Sequence, residues 1–178
     1  MTDCKRPMSD SARAIFGVDS IAINGGFLLC TGCRERGSCQ FGITGEEVLE
    51  DGKVRTFLRC AANFAGGPDV AHGGWTSAVL DEMLGHIAVF HNSFAVTSSM
   101  TVKYHRPVPV ERDLVGYAWI DRREGENWHL IGEIRLSEPS TLLARATALF
   151  IERDFGHYQR HEEWLDTHRG VGGFSKDE

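Results

Sequence analysis

Residues 72–82 read His72-Gly73-Gly74-Trp75-Thr76-Ser77-Ala78-Val79-Leu80-Asp81-Glu82, and the fold turns on this stretch. The paired glycines after His72 predict a tight turn that opens a helix, and the apolar spacing through His91 predicts one long helix. Such a turn offers backbone N–H groups at the positive end of a helix, where a carbonyl oxygen can be polarised. Asp81 follows more than two turns along, a carboxylate able to act as base or nucleophile. Those are the parts that acyl transfer or hydrolysis needs.

At about 100° per residue, Trp75, Val79, Leu80, Met83, Leu84, Ile87 and Phe90 share one broad face. That face is expected to bury against a sheet, at roughly 1.5–3 kcal/mol for each large side chain. The neighbours of Asp81 on the opposite face are Gly74, Ser77, Ala78, Gly85 and Ala88, all small. They leave room for a ligand or a second backbone, and they make the carboxylate easy to desolvate. Gly85 in a helix interior costs about 1 kcal/mol relative to Ala, so the space is wanted either for a ligand or for close helix packing.

Outward from the helix the pattern is that of strands. Strand character begins near Cys39–Thr44 and continues in Val54–Cys60 across a turn at Asp51-Gly52, with Asn63–Asp69 read as loop. After the helix the period changes to alternation. Val96, Met100, Val102 and Tyr104 are expected on one strand face, and Thr97, Ser99, Thr101 and Lys103 on the other. That strand is expected to end at Arg106-Pro107. Leu114–Arg123 and Trp128–Ser137 flank a predicted hairpin loop at Glu124–Asn127, and Thr141–Arg153 forms a last run. Short connections predict antiparallel neighbours in chain order. The expected class is α+β: one long helix against an antiparallel sheet of about six strands, over residues 39–153. Residues 1–38 read as an extension, mostly loop with one short helix near Ser11–Ile21, and residues 154–178 as a polar tail, helical or disordered.

The 178 residues suit one domain. A net charge of −6 argues against nucleic acid as a main partner. The apolar runs are too short to span a bilayer, and no apolar segment follows the N-terminus, so no membrane association and a cytoplasmic location are expected. Five cysteines are an odd number, which fits free thiols.

The stretch Asn63–Gly85, with its glycine- and proline-containing loop, His72-Gly73-Gly74, Leu80-Asp81 and later Gly85, resembles the signature of hotdog acyl-CoA thioesterases. The similar branch is that of the phenylacetate-pathway enzymes and their animal relatives. Thr97–Pro109 and Thr141–Ile151 resemble the strands that follow the helix there. The resemblance implies a hotdog fold and acyl-CoA thioester hydrolysis, with no cofactor beyond the coenzyme A of the substrate. It implies Asp81 as catalytic carboxylate, Gly74 as the N–H that polarises the thioester carbonyl, and Thr97 as a hydroxyl that positions water. His72 and Gly73 complete the expected catalytic turn, with His72 fixing it. It also implies a homodimer in which Asp81 works with Gly74 of the partner chain, and dimers that can pair into tetramers.

Candidate substrate contacts are Asn63, Trp75, Ser99, Lys103, Tyr104, Arg106, Arg122 and Arg123. Two basic groups could meet the coenzyme A phosphates: Lys103 with His105 and Arg106, and Arg122 with Arg123. Trp75 and Phe64 could shape the acyl pocket. Glu82 is the second candidate for the carboxylate role. His86 and His91 are read as structural, and the tail pair His157 and His161 as part of a solvated helix face rather than a metal site. Cys30, Cys33, Cys39 and Cys60 could form a four-thiolate zinc site, but their spacing is not that of a standard knuckle and no metal is expected. Two alternatives stand beside hydrolysis: a non-catalytic acyl-CoA-binding hotdog domain, and a hotdog hydratase or dehydratase.

Overall fold

The computed structural model describes residues 39–154 and 156–168. The expected helix at Ser11–Ile21, and Cys4, Cys30 and Cys33, lie outside them. The elements are β1 (Ile43–Val48), β2 (Val54–Arg59), a short 3-10 turn (Ala62–Phe64), β3 (Ala65–Gly67), β4 (Val70–Ala71), α1 (Gly73–Phe90), β5 (Ala95–Tyr104), β6 (Asp113–Glu124), β7 (Asn127–Leu136), β8 (Leu142–Glu152) and α2 (His157–His168). Six strands form one antiparallel sheet in the order β1-β2-β6-β7-β8-β5. The expected α+β class, a long helix on a six-stranded antiparallel sheet, is what the chain adopts.

The helix reaches its predicted limits because both ends are capped. His72 closes the N-terminus and His91 the C-terminus, the latter donating its N–H to the carbonyls of Ile87 and Ala88. The predicted face is buried, with Phe90 only half-buried at its end. Ala88, expected on the open face, is instead 1% exposed and joins the core. The sheet makes room for the helix with small side chains. Gly132 pairs with Ala118 on one side and Ala146 on the other, a shallow row beneath Leu80 and Leu84. A Cβ at Gly116 would lie 2.3 Å from the Met83 Cε. The helix therefore packs directly on backbone, and its large side chains fill the space to either side.

Four expectations need correction. The first strand starts at Ile43 rather than near Cys39, because the chain turns at Gly42. There φ is +79° and a Cβ would sit 2.0 Å from the Arg59 carbonyl oxygen, so only glycine fits. The 63–69 loop contains a short turn and β3, which pairs with β4 across Pro68-Asp69. The β6–β7 loop is a two-residue turn, Gly125-Glu126, with Gly125 at φ +60°. Strand neighbours follow chain order in β1–β2, β6–β7 and β7–β8 but not elsewhere: β5 pairs with β8, and β6 pairs with β2. Residues 105–112 carry the chain back, held by Val110 N–H to the Asp69 carbonyl and Glu111 N–H to the Cys60 carbonyl, and so deliver β6 to β2.

One irregularity in β5 governs the site. Thr97 pairs with Phe150 and Ser99 with Leu149, leaving Ser98 as an extra residue. A bulge of this kind shifts the alternation by one. Thr97 thereby shares the helix-facing side with Met100, Val102 and Tyr104, whose partners are Ala148, Ala146 and Ala144. Val96 is turned to the opposite face. The strict alternation read from sequence had these two residues the other way round.

Candidate active site

The turn before α1 is built by the β3–β4 hairpin. His72 N–H donates to the Phe64 carbonyl at 2.8 Å, and the His72 Nδ1 accepts the Gly74 N–H at 2.9 Å. An Nδ1 that accepts is unprotonated, so the neutral imidazole carries its proton on Nε2. Helix starts leave the first N–H groups without intrahelical partners; His72 takes one of them with its own ring. Gly66 lies against this cap, where a Cβ would be 2.8 Å from the His72 Cα. Gly66→Ala is thus expected to displace His72 and destabilise the fold by about 1–3 kcal/mol, read by denaturant titration. An unchanged midpoint would show that the hairpin yields freely and does not set the cap.

Asp81 is half-buried on the side of α1 that faces β5. Its Oδ1 accepts the Thr97 hydroxyl proton at 2.7 Å. The bulge at Ser98 makes this contact possible, since regular alternation would aim Thr97 away. Ser77, one turn earlier, meets the Tyr104 hydroxyl at 2.6 Å, and that hydroxyl also donates to the Gly73 carbonyl at 3.2 Å. The structure thus gathers His72, Gly73, Gly74, Asp81, Thr97 and Tyr104 along one seam between α1 and β5. Ser77 also belongs to the seam; sequence reading marked it only as a small neighbour of Asp81.

The remaining candidates are dispersed. Asn63 is exposed in the turn before β3. Trp75 is 3% exposed in the core, and its Nε1 has no hydrogen-bond partner among the described residues. Ser99 and Lys103 lie on the outer face of β5, opposite Leu149 and Arg145. Arg106 is exposed near the helix start and bonds the Leu142 carbonyl at 3.1 Å. Arg122 and Arg123 belong to the other end of the sheet. Arg122 is paired with Glu124 at 2.8 Å, and Arg123 with Glu152 at 2.6 Å while lying over the Trp128 ring. The Trp128 ring in turn meets His91, the C-terminal cap of α1. The two basic groups that sequence treated alike are therefore at opposite ends of the helix.

Glu82 points away from Asp81 and belongs to a second cluster. The His86 Nδ1 lies 2.7 Å from Glu46 of β1, its Nε2 lies 3.4 Å from Glu82, and Glu46 also accepts the Thr56 hydroxyl at 3.0 Å. Burial disfavours the imidazolium, but the charge and hydrogen bond of Glu46, with Glu82 behind them, outweigh it and hold the His86 pKa up to about 10. His86 is a cation bridging β1 to α1, so the structural reading from sequence gains a specific partner. Cys60 is buried, and burial, with Glu111 nearby, pushes its thiol up to about 11, which disfavours a nucleophilic thiolate. Among the described residues no group of three His, Cys, Asp or Glu side chains could hold a metal. No described helix is long and apolar enough to cross a membrane. A groove of about 480 Å³ on the outer sheet face is lined by Tyr117, Trp119 and the Glu133, Arg135 and Arg145 charges. Those charges are paired with one another.

Part of the chain is similar to known proteins. Residues 69–149 match the family model of the thioesterase superfamily. The chain is 31% identical over 87 residues to acyl-coenzyme A thioesterase THEM4 of Xenopus laevis, covering 49% of this chain and 39% of that protein. It is 29% identical over 89 residues to THEM4 of Rattus norvegicus, covering 50% and 38%. The chain therefore spans about two fifths of the length of these curated relatives. Among solved structures, a hypothetical thioesterase from Streptococcus pneumoniae with coenzyme A superposes at a TM-score of 0.56, with 17% identity, covering 61% of this chain and 84% of that one. A putative phenylacetic acid degradation-related thioesterase from Ralstonia eutropha superposes at 0.57, with 19% identity, covering 74% and 97%. The resemblance read from the sequence holds at the level of the fold, which is the hotdog, and residues 69–149 are similar to the thioesterase superfamily.

Proposed function

We propose that the protein is an acyl-CoA thioesterase in which Asp81 is the reactive carboxylate. The Asp81–Thr97 pair carries this reading: a carboxylate among small residues, oriented by a hydroxyl from the facing strand. Thr97 uses its proton on Asp81 and keeps oxygen lone pairs with which to hold a water beside the carboxylate. In the general-base form, that water attacks the thioester carbon, its proton passes to Asp81, and the C–S bond breaks to release coenzyme A thiolate, which is then protonated. In the nucleophilic form, Asp81 attacks the thioester carbon, the C–S bond breaks to release coenzyme A thiolate, and water cleaves the resulting anhydride to return Asp81 and the free acid. The developing oxyanion is met by a helix-start N–H, Gly74 being the leading donor.

Helix geometry argues that two chains build this site. Gly74 precedes Asp81 by seven residues, which places it roughly 10 Å up the helix axis at 1.5 Å per residue. One carbonyl cannot touch both within a chain. The β5 edge, bearing Thr97 and Tyr104, is the last strand of the sheet among the described residues, and a second copy pairing there would bring a partner's helix start towards Asp81. Arg106, two residues past Tyr104, is better placed for the substrate phosphates than Lys103, which is on the outer face of β5, or than Arg122 and Arg123, which are engaged in ion pairs.

One observation favours the non-catalytic alternative: the Gly74 N–H is already bonded to His72, so substrate must displace the ring before that donor acts. A panel of acetyl-, hexanoyl-, palmitoyl- and phenylacetyl-CoA with a thiol-trapping reagent, alongside light scattering for mass, separates the readings. Thiol release by a dimer or larger assembly is expected. Thermal stabilisation by these thioesters without thiol release would leave the binding domain as the answer, and turnover by a monomer would overturn the shared site.

A further inference from the structure

The peptide joining Gly73 to Gly74 is held at both ends. Its carbonyl accepts the Tyr104 hydroxyl proton at 3.2 Å, and its N–H donates to the His72 Nδ1 at 2.9 Å. Tyr104 has a single proton, which the carbonyl takes. At the 2.6 Å contact with Ser77, therefore, Tyr104 accepts and Ser77 donates. The order of donation is Ser77 hydroxyl to Tyr104 hydroxyl to Gly73 carbonyl, then across the peptide to Gly74 N–H and His72. Hydrogen bonds in series polarise one another, and a donor on an amide carbonyl makes the N–H of the same peptide a stronger donor.

We propose that Tyr104, backed by Ser77, is a positioning residue that orients the Gly73–Gly74 peptide and strengthens its N–H for the thioester oxyanion. This rests on the thioesterase reading above. Tyr104 does not touch the reacting atoms; it acts through the peptide. His72 is the resting acceptor, keeping the N–H aimed outward from the helix until a substrate carbonyl replaces the ring. Tyr104 is 55% exposed and closes no part of the core, so its hydroxyl can be removed without unfolding the chain.

The test compares Tyr104→Phe, Ser77→Ala and the double variant, using the panel thioester that wild type cleaves fastest. Removing an oxyanion donor outright lowers kcat by 100-fold or more; weakening it from behind is expected to lower kcat about 10-fold in Tyr104→Phe, with KM nearly unchanged. Ser77→Ala alone is expected to lose less, and the double variant no more than Tyr104→Phe, because Ser77 reaches the peptide only through Tyr104. The Gly74 amide proton resonance reports the polarisation without turnover and is expected to move upfield in Tyr104→Phe. An unmoved Gly74 resonance or an unchanged kcat, while Asp81→Asn is inactive, overturns the role of Tyr104 and leaves the thioesterase reading standing. Full activity in a folded Asp81→Asn protein removes that reading and the catalytic role of the peptide with it.

Discussion

Asp81→Asn is expected to lower thioester hydrolysis by about 1,000-fold, within the range for loss of a general base or nucleophile, while the protein melts at its original temperature. The two halves of this expectation have one cause. Asparagine has the shape of aspartate, and its carbonyl oxygen can still accept the Thr97 hydroxyl proton that now reaches Asp81 at 2.7 Å. Packing between α1 and β5 is kept, and only the ability to take a proton or to form an anhydride is lost. The loss is expected in kcat, because the carboxylate acts on the attacking water and not on the coenzyme A moiety. Release of coenzyme A from the preferred thioester, followed with a thiol-trapping reagent, measures the first half and a thermal melt the second. Wild-type turnover by the folded variant would sink the assignment of Asp81.

The second large effect is on stability and centres on His86. In the folded chain its pKa is raised to about 10, from an ordinary value of 6.5. A raised cation contributes stability that is fully present below pH 6.5 and is lost as pH climbs through about 10. Wild-type unfolding free energy is thus expected to fall between those limits as the imidazolium loses its proton between Glu46 and Glu82. His86→Ala leaves those carboxylates facing one another without a cation. Breaking a buried pair costs about 3–5 kcal/mol, and with these side chains 14–22% exposed a loss near about 3 kcal/mol is expected. His86→Gln retains hydrogen bonding but not charge, and is expected to flatten the pH dependence over this window. Denaturant titrations at pH 6, 8 and 10 provide the measurement. Parallel wild-type and His86→Gln profiles would mean that the bridge carries no net charge energy.

The parts of the site that lie close in sequence were legible before any coordinates. His72, the two glycines and Asp81 fall in one helix and its cap, so turn chemistry and helical periodicity were enough to single them out. The buried face of α1 was legible for the same reason, with Ala88 the exception: small residues satisfy either face, and only the sheet beneath decides which one they join. Thr97 was singled out by resemblance, yet its direction was misread. A bulge is an extra residue in one strand relative to its partner, and nothing in Val96–Tyr104 alone records what β8 does opposite it. Arg122 and Arg123 looked equivalent to Lys103 and Arg106 because local charge says nothing about which end of the helix a strand end reaches, or about existing ion-pair partners.

Sequence by itself determined the long capped helix, the run of strands around it and the small-residue setting of Asp81, because each is set by interactions among residues a few positions apart. Only the tertiary structure decided the strand order that makes β5 an edge among the described residues, the inward turn of Thr97, the bridge from Glu46 to His86 and the hold of Tyr104 on the Gly73–Gly74 peptide. The last three join residues 16 to 40 positions apart, and the strand pairings reach further still. Their meeting depends on register across several strands, a property of the whole sheet that no local pattern encodes.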